Sequence, residues 1–509
     1  MTSRHEIDAS FTALPYRRLA EAALSRAQDF HVSHADFRFE RIRSQSVRVR
    51  DGRLQGASDT EDLGFAVRVV LDGAWGFASG VVLSTEAAVA IAETAVRTAQ
   101  VASAMTSRPI ELAPEPTYDD VTWVSAYDID PLSVPLADKV DLLSGWTARL
   151  LAAPGVEHSS GSVSQVVENK FYADLSGTTT TQQRVRLQPD FEAHGTNEKT
   201  GVFDSMRTIA PPVGRGWEYL TTGYDWDTAL GELPDLLAAK LVAPPVTAGR
   251  YDLVIHPSNL WLTIHESIGH ATELDRALGY EANYAGTSFA TVDKLNTLQY
   301  GSPVMHVTGD RTVPHGLATV GWDDEGVQTQ SWDIIKDGVL VGYQLDRPMA
   351  QMMPELNDGR SNGCAYADSS GHIPIQRMAN VSLQPSTDAG GGPSTEELVG
   401  QVERGIYVVG DRSWSIDMQR YNFQFTAQRF YAIENGTLGG QLRDVAYQAT
   451  TTDFWNSMEQ VGGPDTWELG GAFNCGKAQP GQVGSVSHGC PTSLFRDVNV
   501  LNTTSEAGN

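Results

Sequence analysis

Residues 265 to 270 read His265-Glu266-Ser267-Ile268-Gly269-His270, at the end of an apolar run, Leu260-Trp261-Leu262-Thr263-Ile264. Neutral imidazoles are preferred zinc ligands, and a Glu beside one can take a proton from a metal-bound water. That combination points to a hydrolase. The two histidines stand five apart, whereas an interval of four puts both on one helix face. An ideal α-helix would turn the second ring roughly 140° from the first. Both can reach one ion only if the backbone is locally distorted, for instance by a wide π-type turn, and Gly269 tolerates such distortion. The competing reading is a buried helix with two hydrogen-bonded core histidines.

A catalytic zinc needs a third protein ligand. Glu273, three residues after His270, is the local candidate. Cys475, in Gly470-Gly471-Ala472-Phe473-Asn474-Cys475-Gly476-Lys477, is a distant one. A thiolate among small residues could approach a metal closely, although a buried Cys is as often a small apolar residue. His488 and Cys490, in Ser487-His488-Gly489-Cys490-Pro491, are further options. Residue types alone leave this choice open.

The elements that must position these groups follow from the hydropathy pattern. Residues 15–30 and 84–105 read as helices around alternating segments at 36–42, 46–50, 63–70 and 73–78. Residues 106–135 are rich in Pro and polar residues and suggest a crossing loop. A second unit of helix and strands runs to a Leu/Ala-rich helix near 226–243. Pro244-Pro245 then precedes a buried strand, Tyr251-Asp252-Leu253-Val254-Ile255, which leads into the His-Glu helix. After about residue 285, short β-type runs dominate, and Asp388 to Pro393 reads as a mobile loop. No internal repeat is visible.

The predicted class is α+β: an N-terminal α/β region with helices and sheet, then a large, mainly antiparallel C-terminal β domain carrying the zinc-site helix. The expected divisions are 1–110, 111–245 and 246–509.

The chain has 509 residues, with 37 Lys and Arg against 63 Asp and Glu, for a formal charge of −26. Such a surface repels phosphate backbones and anionic lipids, which argues against nucleic-acid or membrane partners. Three cysteines, Cys364, Cys475 and Cys490, make no disulfide framework and fit a reducing cytoplasm. The opening residues lack the apolar core of a secretion signal.

His265 to Asp275 resembles the H-E-x-x-G-H-x-x-E-x-D signature of the TldD/PmbA family of cytoplasmic metallopeptidases. Gly64 to Ala78 is similar to that family's N-terminal strand pair. Asp323-Asp324-Glu325-Gly326 with Thr329-Gln330 resembles its D-D-E-G-x-x-T-Q segment, and Pro374 to Asn380 its P-x-x-R-M-x-N. Ile433 to Gly436 resembles its late hairpin and Asn474 to Lys477 its cysteine segment. The likeness departs at His488, where family members usually carry a small or polar residue.

The resemblance implies that His265, His270 and Cys475 ligate zinc, with Glu266 as general base. It also implies a catalytic, TldD-like member, because PmbA/TldE-like paralogues generally lack an intact H-E-x-x-x-H. It further implies a dimer enclosing the site, formed with an identical chain or with such a paralogue, and acting on extended peptides or unfolded proteins. Glu273, Asp275 and His488 then become candidates for orienting the ligands. Asp323, Asp324 and Glu325 could suggest a second metal, but a solvated turn is the favoured reading.

The dipeptidyl-peptidase III type also carries H-E-x-x-G-H, with a third ligand from an E-E-x-x-A-[DE] helix. Here Glu396-Glu397-Leu398-Val399-Gly400-Gln401 lacks that ending. The alternative from another class is a non-catalytic peptide-binding subunit with a structural zinc, in which Glu266 would have no purpose.

Overall fold

The computed structural model describes residues 5–388, 390–479 and 481–505. Met1 to Arg4, read above for a secretion signal, and Ala389, in the predicted glycine-rich loop, lie outside the described residues.

The front of the molecule is one seven-stranded sheet. The segments expected as two strands, 36–42 and 46–50, form a single strand, His34–Arg50, paired along its length with Arg53–Leu71. Its other edge pairs antiparallel with His158–Asp174, from Asp36 opposite Asp174 to Arg50 opposite Ser160. Outward from that central pair two strands follow on each side, and the seventh, Val121–Val124, adds in parallel to Thr179–Thr196 on one side only. Arg53–Leu71 and Ala74–Gly80 lie on one side, with Thr179–Thr196 and Phe203–Arg207 on the other.

Helices Tyr16–Gln28 and Thr85–Ser103 flank the first three strands in sequence. Leu136–Leu151 and Trp226–Val242 flank the second three. The two halves therefore repeat one element order, α-β-β-β-α, although no repeat is visible in the residues themselves. One packs small Ala faces (Ala88, Ala92, Ala95, Ala99) onto Phe37, Phe39 and Phe65. The other packs Trp217, Trp226, Leu230 and Leu237 onto Leu187 and Phe191.

The opposite face of this sheet is charged and buried. Arg68 pairs with Asp36 at 2.7 Å and with Glu325 at 2.9 Å. Lys170 pairs with Asp324 at 2.7 Å, and Arg184 and Arg186 both pair with Glu168. Asp323 to Glu325 is thus not the solvated turn expected. All three residues are buried. Asp323 accepts the backbone N–H groups of Glu325, Val327 and Ala365, while its two neighbours bind front-sheet cations. Buried charge of this kind persists only where each ion has a partner, and here the partners hold front and back together.

Behind lies a ring of strands. Gly249–Ile255 pairs parallel with Arg404–Ile416 and antiparallel with Ser493–Asn502. The latter pairs with Val445–Thr450, which pairs with Asn422–Glu434, which returns to Arg404–Ile416. Closure leaves these five with few free edges. Leu253, Ile255, Leu260, Ile264, Phe425, Tyr447 and Phe495 fill its core together with the expected helix, Pro257–Ile264. The whole is an α+β fold with an extensive antiparallel β region behind. Among the described residues, no helix is long and apolar enough to cross a membrane.

Burial opposes the charge on Asp36, but the Arg68 guanidinium and the His34 ring hold its carboxyl down at about 2, against an ordinary 3.8. A lowered folded value means that stability is fully present above the ordinary value and is lost as pH falls through the folded one. Between about pH 4 and pH 2 the native chain should lose about 2 kcal/mol more unfolding free energy than Asp36→Asn. Urea titrations across that window check this, and equal losses in the two proteins would refute the role given to Asp36.

Candidate metal centre

Helix Pro257–Ile264 starts at His256, whose ring accepts the Ser258 N–H, with Pro257 in the first turn. It is anchored from within the barrel. Asn259 donates to the carbonyls of Gly410 and Thr426 and accepts from the Tyr447 hydroxyl. At His265 the coil widens into a π turn, His265–Gly269, closed by the His270 N–H donating to the His265 carbonyl. This is the distortion that the five-residue interval demanded, and it brings the two ring centroids to 4.7 Å.

A wide turn frees carbonyls that must find other donors. The Tyr300 hydroxyl donates to the Ser267 carbonyl, and Gln344 Nε2 to that of Gly269 at 2.7 Å. A Cβ at Gly269 would stand 2.5 Å from Met378 Sδ, so any other residue there must displace that side chain.

The third group arrives from the hairpin Glu468–Lys477 and Gln482–Cys490, whose register shifts between Ala472 and Cys475. Alternation then puts Phe473, Cys475 and Lys477 on the inward face. The hairpin can come this close because Gly470 lies on the Trp261 ring, where a Cβ would meet Cγ at 2.3 Å. His265, His270 and Cys475 each offer one atom within 4.8 Å of the others, and all three are buried.

Hydrogen bonds fix where the lone pairs point. The Val381 carbonyl can only accept, so His488 donates to it from Nδ1 at 2.7 Å. Burial, then His265, hold His488 well below the usual imidazole range, so it is neutral and its Nε2 is bare. That nitrogen accepts from His265 Nδ1 at 2.7 Å, leaving the His265 lone pair on Nε2. His270 donates from Nδ1 to Glu273 at 2.9 Å, which leaves its own lone pair on Nε2, 3.5 Å from Cys475 Sγ. Burial depresses both ring pKa values and so favours the neutral, ligating form.

Burial pushes the Cys475 thiol up, but His270 and then Arg377 outweigh it and hold it below the usual range. Two neutral imidazoles and a cysteine sulfur that gives up its proton on binding the metal are a zinc donor set with a fourth position open. Zinc–sulfur and zinc–nitrogen bonds of about 2.3 and 2.0–2.1 Å give a tetrahedral edge of roughly 3.6 Å, close to the Sγ–Nε2 distance here.

Glu273 is held in turn. Burial opposes its charge, and Lys477 and His270 keep its carboxyl well below the usual range. Lys477 Nζ lies 3.1 Å from Glu273 and 2.8 Å from Asp275, and donates to the Gln376 carbonyl at 2.8 Å. Asp275 therefore meets Lys477 and not a histidine. Cys364 and Cys490 lie elsewhere, their thiols raised by burial. Glu397 closes a capping box with Ser394 on a short helix.

A cavity of about 500 Å³ opens onto the cluster. Glu266 lines it beside Arg420, to which it is ion-paired. Sequence reasoning missed Arg420, as it missed Tyr300 and Gln344, and no spacing in the chain marks any of them.

Fold and site together describe a metallopeptidase. Residues 248–502 match the PmbA/TldA metallopeptidase C-terminal domain and residues 35–99 match PmbA/TldA metallopeptidase domain 1, so the chain belongs to that family. It is 26% identical to the metalloprotease MJ0996 of Methanocaldococcus jannaschii, over 87% of this chain and 92% of that one. With a zinc metalloprotease TldD homolog of Saccharolobus solfataricus the identity is 21%, over 86% and 90%. The fold is shared with a putative modulator of a DNA gyrase from Thermotoga maritima (TM-score 0.75, 16% identity, 96% and 100% coverage). It is also shared with TldE from Thermococcus kodakarensis (TM-score 0.67, 17% identity, 95% and 99% coverage).

Gly269→Val should force Met378 aside and strain the π turn, lowering stability by about 1–3 kcal/mol. Thermal unfolding of the variant checks this, and an unchanged Tm would mean the turn accommodates side chains freely.

Proposed function

We propose that this chain is a zinc-dependent peptidase whose zinc is held by His265, His270 and Cys475. The observation that carries the reading is the convergence of two imidazole lone pairs and the Cys475 sulfur beside Glu266, on a cavity of about 500 Å³. Zinc bound there would supply Lewis acidity and make a bound water more acidic.

The chain's own residues do the rest. Glu266 takes a proton from water as it attacks the peptide carbonyl, then delivers it to the leaving amine. Glu273, fixed by Lys477, and His488, fixed by the Val381 carbonyl, keep the two rings aimed. The wall formed by Trp261, Leu262 and Ile416 limits water around the reacting atoms.

The substrate we propose is an extended peptide or an unfolded segment of protein. Trp414, Ser415 and Ile416 line one side of the cavity, and Ala472, Asn474 and Cys475 another. Both stretches lie on strands that pair along one edge at these positions, Trp414 with Phe425 and Cys475 with Gly484. A peptide could add its backbone to such an edge without strict choice of sequence. Trp414 and Met418, 53% and 55% exposed, form an apolar lip suited to peptide side chains or a second subunit. That subunit would be an identical chain or a TldE-like paralogue, and the compartment the cytoplasm.

Cleavage of an unfolded casein-like substrate should stop with a chelator and return with zinc. Glu266→Gln should keep stoichiometric zinc and lose more than about 100-fold in rate, whereas Cys475→Ala should lose zinc in metal analysis. A Glu266→Gln protein that cleaves normally would refute the general-base role, whereas a native protein that holds stoichiometric zinc and cleaves nothing would favour a peptide-binding subunit with a structural zinc.

A further inference from the structure

Arg420 sits where an arginine is unexpected. The turn joining Arg404–Ile416 to Asn422–Glu434 places it at φ 64°, a left-handed conformation that a long side chain rarely adopts. Such strain persists only where the surroundings enforce it, and it concentrates at functional positions. Here the enforcement is visible. Asp417 accepts the N–H groups of Gln419, Tyr421 and Asn422, and its carbonyl accepts that of Arg420. Thr451 donates its hydroxyl to the Arg420 carbonyl, and the N–H groups of Thr287 and Phe289 reach the carbonyls of Met418 and Gln419.

The outcome is a cation aimed into the metal-centre cavity. One terminal nitrogen holds Glu266, while Nε is buried with no hydrogen-bond partner. The guanidinium lies close enough to His265 to add to the depression of its pKa.

We propose that Arg420 is a catalytic residue that stabilises the negative charge passed from Glu266 to the substrate carbonyl oxygen; this rests on the peptidase reading above. In the resting site the anion facing Arg420 is the Glu266 carboxylate. When Glu266 accepts a proton from water, the water oxygen's freed electron pair adds to the carbonyl carbon. The C=O π pair moves onto the carbonyl oxygen. Glu266 is now neutral, and the charge Arg420 faced has shifted to that oxygen, which takes its hydrogen bond. As the adduct collapses, the pair returns to re-form C=O. The C–N bond breaks with its electrons going to nitrogen, and Glu266 gives the amine its proton. The Arg420–Glu266 pair is then restored.

The test compares native protein, Arg420→Gln, Arg420→Lys and Glu266→Gln. Read for each are zinc content, Tm, kcat and KM on an unfolded-protein peptide, and affinity both for a product peptide and for a phosphinic peptide whose tetrahedral anion copies the adduct. For Arg420→Gln we expect unchanged zinc and a kcat/KM lower by about 10²–10³-fold, falling in kcat. Phosphinate affinity should fall in parallel, while affinity for a product peptide changes by less than about threefold. Arg420→Lys should restore part of both.

If phosphinate and product peptide weaken equally, or kcat is unchanged, Arg420 only shapes the site and the proposal fails. If the native protein itself neither cleaves peptide nor loses rate in Glu266→Gln, the peptidase reading has failed and this inference with it. The two failures are thus distinct.

Discussion

The direction of two imidazole lone pairs is the constraint on which the rest depends. A metal can be shared only if His265 and His270 both present Nε2 to one point, and a regular helix cannot arrange that across five residues. The π turn supplies the rotation. Hydrogen bonding supplies the tautomer, through Val381 and His488 on one side and Lys477 and Glu273 on the other. Neither device suffices alone: a correctly rotated ring with its proton on Nε2 would turn a donor toward the metal position.

The front sheet enters this arrangement through charge. Its buried Arg and Lys side chains hold Asp324 and Glu325, and Asp323 beside them accepts the Ala365 N–H. From there the chain runs to Gln376, which helps cage Lys477, and to Met378, which packs against Gly269. Ion pairs in a dry interior contribute little net stability, because desolvation offsets their attraction, but a half-satisfied alternative is costly. The network therefore selects a single seating of the front sheet on the back region.

What could be read from the sequence was the local chemistry. His265 and His270 at an interval of five imply a distorted helix, and a nearby Gly shows where it distorts. The helix–strand alternation of the front half and the strand before the site helix were also legible, because each buries one periodic face. The repeated element order was not, since halves that solve the same packing problem with alanines in one case and tryptophans in the other share no residue pattern. Arg420 was invisible for a different reason. A left-handed turn position is normally announced by Gly, Asn or Asp, and an Arg there carries no such mark. Asp323 to Glu325 misled because acidic runs usually sit on the surface, and only partners more than 100 residues away in the chain make burial tolerable.

Those partners also change how the net charge should be read. Among the described residues twelve lysines and arginines are buried, including Arg38, Arg68, Lys170, Arg184, Arg186 and Lys477. Thirteen acids are buried with them, so among the described residues that are not buried acids outnumber bases by about two to one. The exterior is consequently more one-sided than the composition suggests, and it repels phosphate backbones and acidic chains over the screening length. The cavity is different locally: its one arginine, Arg420, is balanced by Glu266, and the histidines beside them are held toward their neutral form by burial. The acidic exterior thus gives way, at the cluster, to a pocket whose single ion pair can hand its negative charge to another acceptor only when Glu266 is protonated.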